Sequence, residues 1–194
     1  MILDDKQLES IRKRTQRRIQ EDTIKTNQPE EFTNFFLENA KKTLRTANAL
    51  YDLSTNKELQ KQTGQQDFDG HLWVINTSYY AMFYATRALL EQNGVKLRAE
   101  QSIHALCFDV LIHFFYLNKK LHKQLIEAYA QAAAEANELL ATADELIENY
   151  YFEKNKRATF TYETGKTAMQ TKAQTSLKRA RKYVEKLRTI IELQ

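Results

Sequence analysis

An all-α fold, an up-and-down helical bundle of about five to six helices, is what this sequence predicts, and three observations predict it. Only four glycines and one proline occur in 194 residues, so strand-and-turn architectures lack their punctuation. Ala, Leu, Glu, Lys, Gln and Arg, the residues of highest helix propensity, are abundant. Six segments repeat apolar residues at three- and four-residue steps, as buried helix faces require. With 42% hydrophobic residues and no break in composition, the chain can bury one sizeable core. Residues 30–194 are read as one bundle, preceded by a basic helical extension, 1–29.

The first predicted helix, 4–22, carries Leu8, Ile11 and Ile19 as a thin apolar stripe on a charged cylinder, so a peripheral position is expected. Pro29 disfavours helix in the residue before it and suits a helix start after it. The second helix, 30–53, presents Phe32, Phe36, Ala40, Leu44, Ala47 and Tyr51 on one face. The polar stretch 54–64 reads as a long loop. The third helix starts within 67–70, with an Asp available as N-cap, and runs to Glu91 before Asn93-Gly94 ends it. From Leu72 to Ala85 it is apolar or aromatic around most of its circumference, which marks the core helix.

The fourth helix, 101–117, has an unbroken stripe of Ile103, Leu106, Cys107, Val110, Leu111 and Phe114. The fifth, 119–151, places Leu125, Tyr129, Ala132, Ala136, Leu139, Ala143, Leu146 and Tyr150 on a seven-residue repeat, and the last, 166–193, does so with Ala173, Leu177, Ala180, Val184, Leu187 and Ile191. The outer positions of the fifth are acidic and those of the last basic, so the two are expected to pair antiparallel and to neutralise part of each other's charge.

Charge and cysteine content narrow the function classes. The single cysteine, Cys107, has no disulfide partner, which fits a reducing cytoplasmic setting. No apolar stretch reaches the ~20 residues that span a bilayer, so no membrane segment is expected. There is no glycine-rich phosphate loop, no nucleophile elbow and no Cys or His pair at metal-ligand spacing, so no metal and no cofactor is implied. His71 reads as a surface or capping residue. A net charge of +4 permits phosphate-rich partners without requiring them. Two clusters concentrate it: Arg12, Lys13, Arg14, Arg17 and Arg18, then Lys178, Arg179, Arg181, Lys182, Lys186 and Arg188. Each reads either as a solvated helix face or as a nucleic-acid surface.

The string Ser78-Tyr79-Tyr80-Ala81-Met82-Phe83-Tyr84-Ala85-Thr86-Arg87-Ala88-Leu89-Leu90, followed by Gly94 and by His104 at the start of the next helix, resembles the HEPN family, the nucleotide-binding helical domain named for higher eukaryotes and prokaryotes. Arg157 and Tyr162, before the closing amphipathic helix, resemble the Arg and Tyr at the same place in that family. The resemblance covers roughly residues 32–192. It implies a bundle of four or five helices that forms a homodimer around a positively lined cleft. It also implies one of three activities: metal-independent RNA cleavage, often by a toxin; binding of RNA or a nucleotide without cleavage; or partnership with a small nucleotidyltransferase.

Family nucleases use an Arg, a polar residue, a spacer and a His. Arg98 with five residues before His104 has that spacing, with Ala99 in the polar position and the motif nearer the core helix than is usual. In a nuclease, His104 would move a proton at the ribose 2′-hydroxyl while Arg98 stabilises charge on phosphate. Otherwise His104 flanks the apolar stripe and packs its helix. Arg157 and Tyr162, on a loop, would contact phosphate and stack on a base, or Arg157 would tie the loop to acidic residues of the fifth helix. Arg87 and Tyr80 would share the cleft, with Tyr79 and Tyr84 filling core positions.

The leading expectation is RNA or nucleotide binding in a basic cleft, within a toxin–antitoxin or defence system. The alternatives are a non-catalytic subunit that docks a nucleotidyltransferase and a structural helical adaptor.

Overall fold

The computed structural model describes residues 4–98, 103–152 and 159–193, with side chains described outside 139–152 and 159–167. Seven α-helices stand among the described residues: α1 Asp5–Gln20, α2 Thr33–Thr55, α3 Lys57–Thr63, α4 His71–Gln92, α5 Ile103–Leu111, α6 Lys123–Phe152 and α7 Thr159–Glu192. Two short strands, β1 Ile24–Lys25 and β2 Lys96–Leu97, pair antiparallel with Ile24 opposite Leu97. The fold is an all-α bundle. No helix among the described residues is long and apolar enough to cross a membrane.

Helix α4 is the axis of the molecule. Val74, Ala81, Met82, Ala85, Ala88, Leu89 and Leu90 are all fully buried, so it is covered on several sides, as its nearly continuous apolar sequence predicts. Helix α2 lies against it through Ala40 and Ala47, both fully buried, whose small side chains let the two backbones approach. The pair is antiparallel: Ala47 shares a buried cluster with Val74, and Phe36, near the start of α2, meets Arg87 near the end of α4. Every residue of the stripe predicted for α7 is buried. Gly94 closes α4 with φ +68. A Cβ at that position would stand 2.8 Å from the Gln28 carbonyl oxygen, so glycine serves both the turn and the close approach of the chain after α1.

Several expectations are corrected. Part of the stretch read as a loop, 54–64, is helix α3. Asn56 caps it by accepting from Leu59 N–H at 3.0 Å, and the buried Gln60 amide donates to the carbonyls of Leu53 and Phe68 at 2.8 and 3.1 Å. A buried polar side chain organises this short helix, which leaves no apolar periodicity to read. Helix α4 starts at His71 without a side-chain N-cap; Asp69 accepts from the His71 backbone N–H at 3.1 Å and lies 2.7 Å from its Nδ1. His71 is buried, at 2% exposure, and is not a surface residue. Helix α5 passes into a π-helical segment, Ile112–Tyr116, whose wider turn shows in the Leu117 N–H donating to the Ile112 carbonyl.

The pairing of α6 with α7 holds only in part. Among the described residues α7 packs chiefly on α4, and an ion pair joins α6 to α7; the acidic positions beyond Glu138 lie outside the described side chains. Arg179 donates to both Glu135 carboxylate oxygens at 2.8 and 3.1 Å, and Ser176 donates to the same carboxylate at 2.7 Å. Burial pushes the Glu135 carboxyl up, yet the bonds from Arg179 and Ser176 outweigh it and hold the carboxyl below the usual range. A carboxyl depressed in the folded state adds stability that is present above its unfolded pKa and is lost as pH falls through its folded one. Glu135→Gln is therefore expected to cost on the order of 3 kcal/mol at pH 7, because it strands a guanidinium only 11% exposed. Urea unfolding should show that difference shrinking once pH drops below the ordinary carboxylate range.

The basic first helix is fastened to the bundle. Asp4 and Gln7 form a reciprocal capping box, with Asp4 accepting from Gln7 N–H at 2.7 Å. Ile11 and Ile24 belong to the main core. Arg14 grips Asp109 of α5 through two bonds of 3.0 and 2.9 Å, a bidentate geometry in which a guanidinium is strongest.

Candidate functional site: an aromatic face around Arg87

Along α4, Trp73, Thr77, Tyr80, Tyr84 and Arg87 recur at alternating steps of four and three, so one side of the core helix runs along a single line toward its C-terminal end. Trp73 and Tyr80 are 59% and 41% exposed. Beside the end of that line stands the start of α2. The buried Glu91 carboxylate accepts from the backbone N–H groups of Glu31 and Phe32, both at 3.3 Å, and Lys96 lies 3.6 Å from the same carboxylate. This clamp fixes the start of α2, so that Phe36 meets Arg87 and Phe32 lies beside Lys96. Phe32 and Phe35 are 51% and 59% exposed, an unusual position for rings that a core would otherwise take.

The rings form a continuous series. Phe32 meets Phe35 at 6.5 Å between centroids, and Phe35 meets Phe36 edge-on at 5.4 Å. The Arg87 guanidinium carbon lies 4.6 Å from the Phe36 centroid and 5.9 Å from that of Phe83. Phe83 lies 4.3 Å from His104, and Tyr80 meets the same imidazole edge-on at 5.3 Å. The Tyr79 hydroxyl stands 3.0 Å from His104 Nδ1. Helices α2, α4 and α5 thus contribute to one patch.

Its electrostatics follow from what is missing around Arg87. No carboxylate pairs with this half-buried guanidinium among the described residues, although burying a charge ordinarily demands a counter-charge. Burial and the Arg87 charge together push the His104 imidazole below its ordinary pKa, so the ring is neutral near pH 7. Burial pushes the Tyr79 phenol up to about 12, which keeps its hydroxyl protonated. Where Tyr79 donates to Nδ1, the imidazole proton sits on Nε2. Chemically, this is a surface of aromatic faces and edges around a guanidinium that no carboxylate among the described residues neutralises, suited to stacking and to holding an anion.

Of the residues singled out in the sequence, the structure brings Arg87, Tyr80 and His104 together. Arg98 is placed differently: its backbone N–H donates to Thr23 O at 2.9 Å, its guanidinium lies 3.9 Å from Asp22, and the side chain is 62% exposed. Neither contact is with His104. Ala99 and Arg157 lie outside the described residues. The backbone of Tyr162 belongs to α7 and not to a loop, and its side chain lies outside those described. Sequence reasoning missed Phe35 and Phe83 as members of the patch, and Trp73 farther along the same side of α4. The signal was present for Phe35, since Phe32, Phe35 and Phe36 put three rings within one turn and a half, more than a single stripe consumes. Comparison of the chain with family models, with curated proteins and with solved structures returns no match.

Proposed function

We propose that this protein binds RNA, as a single strand or as a nucleotide, on the aromatic face of α2 and α4. The observation that carries the reading is the Arg87 guanidinium, without a carboxylate partner among the described residues, lying over Phe36 and Phe83 beside the exposed rings of Phe35 and Tyr80. Single-stranded RNA offers both complements: unpaired bases to stack on Tyr80 and Phe35, and phosphates to neutralise Arg87. Duplex RNA hides its bases and is the poorer ligand. The resemblance of the α4 sequence to HEPN proteins supports the same reading.

Binding, not cleavage, is the activity proposed. A nuclease of the Arg-spacer-His type needs both groups at one phosphate, and here Arg98 is engaged with Thr23 and Asp22 while His104 is held by Tyr79. Incubated with a labelled RNA of about 12 nucleotides and a chelator, the purified protein should retard the RNA on a native gel and leave it intact on a denaturing one. Cleavage that disappears in His104→Ala would replace the proposal with a metal-independent ribonuclease. Absence of retardation would remove it.

A further inference from the structure

Between α6 and α7 lies a cleft of about 500 Å³, on elements that contribute nothing to the aromatic face. We propose that this cleft is a second binding site, for a small organic phosphate. Its floor is apolar, made by Leu125 and Ala128 of α6 and backed by the ring of Tyr183. That ring is fully buried and fixed, because its hydroxyl lies 2.8 Å from the Thr86 hydroxyl on α4. Three cations of α7, Arg179, Lys182 and Lys186, line the same space at steps of three and four, and no carboxylate among the described residues lines it.

The cations are not equivalent. Glu135 satisfies Arg179, whereas Lys182 and Lys186 form no ion pair and no hydrogen bond among the described residues. Two like charges four residues apart on a helix repel one another, and no carboxylate among the described residues pairs with either. An anion between them would offset the repulsion. Ammonium groups on flexible stems bind phosphate as mobile point charges, and the apolar floor gives the rest of the ligand a surface to cover. A volume of about 500 Å³ falls within the range of small-molecule sites and is far more than a bare phosphate fills. The ligand therefore carries an apolar or aromatic body of roughly mononucleotide size on a phosphate ester. The site stands apart from the RNA reading and does not depend on it.

The test is calorimetric titration of the full chain with 1-naphthyl phosphate, against inorganic phosphate and 1-naphthol as half-ligands. The ester should bind at least tenfold more tightly than either half, and the Lys182→Gln, Lys186→Gln double variant should weaken it at least tenfold. Both lysines are exposed, so the variant's unfolding midpoint should match the wild type. Arg87→Gln should leave this binding unchanged, which separates failure here from failure of the RNA proposal. Equal binding of ester and half-ligands, undiminished binding by the double variant, or no binding of the ester would each overturn the site.

Discussion

Leu89→Ala is expected to lower the unfolding free energy by about 2–5 kcal/mol, the range for deleting a fully buried leucine from a core that cannot collapse around the gap. Leu89 has no exposed surface and lies in the main cluster, which draws residues from every helix except α3. Neighbours on that many elements cannot all move inward, so the cavity term should persist beside the lost transfer energy. Single domains are stable by only about 5–15 kcal/mol, so this one change removes a large share. Urea denaturation should show a lower midpoint with an unchanged slope. Trp73→Ala, on the exposed side of the same helix, should move the midpoint far less, because its ring is 59% exposed.

Arg87→Gln combined with Tyr80→Ala should weaken single-stranded RNA binding by about 100-fold. A lost base stack costs about 1–3 kcal/mol, and a lost charge-assisted phosphate contact about 1.5–3 kcal/mol. The lower values together, about 2.5 kcal/mol, already come close to the ~2.7 kcal/mol of a hundredfold change. The two losses can be told apart by salt. Arg87→Gln alone should reduce the slope of log affinity against log salt by about 0.7, one phosphate contact on a single strand. Tyr80→Ala alone should leave that slope intact. Stability should fall little in either, since Tyr80 is 41% exposed and Arg87 loses chiefly its contacts over Phe36 and Phe83. Fluorescence anisotropy over a salt series checks the affinities, and circular dichroism checks the fold.

How much of this was legible in the sequence depends on what each element is held by. Helices α4 and α7 are held by apolar periodicity, and the pattern is on the page: Ala173, Leu177, Ala180, Val184, Leu187 and Ile191 are all buried. Helix α3 is held by a polar device, the Gln60 amide bridging two carbonyls, and hydrophobic pattern says nothing of such bonds. His71 illustrates the same limit. Its burial depends on Asp69 two residues away and on Tyr51, whose ring lies 6.3 Å from the imidazole, a neighbour supplied by another helix.

The patch was half legible. Tyr80, Arg87 and His104 stood out as residue types, but their grouping depends on how α5 returns against α4, which no spacing within one helix encodes. Arg98 and His104 show the converse. A spacing of six along the chain suggested one site, yet Arg98 follows β2, whose pairing with β1 carries it to Thr23 and Asp22. The exposed phenylalanines of α2 depend on Glu91, sixty residues away, holding the start of that helix. Charge was only partly informative: among the described side chains the α6–α7 complementarity seen in the sequence shows as the pair of Arg179 with Glu135, and neither Lys182 nor Lys186 forms an ion pair there.

The central claim is that RNA lies on the aromatic face of α4, and the chain carries its own reporter there. Trp73 is the one tryptophan of the protein and is 59% exposed on that face, two turns before Tyr80. Titration with an unlabelled single-stranded RNA should quench Trp73 emission saturably, at the midpoint found by anisotropy, and Arg87→Gln should shift both midpoints together. RNA that binds while Trp73 emission stays constant, or that binds Arg87→Gln as tightly as the wild type, would contradict the account.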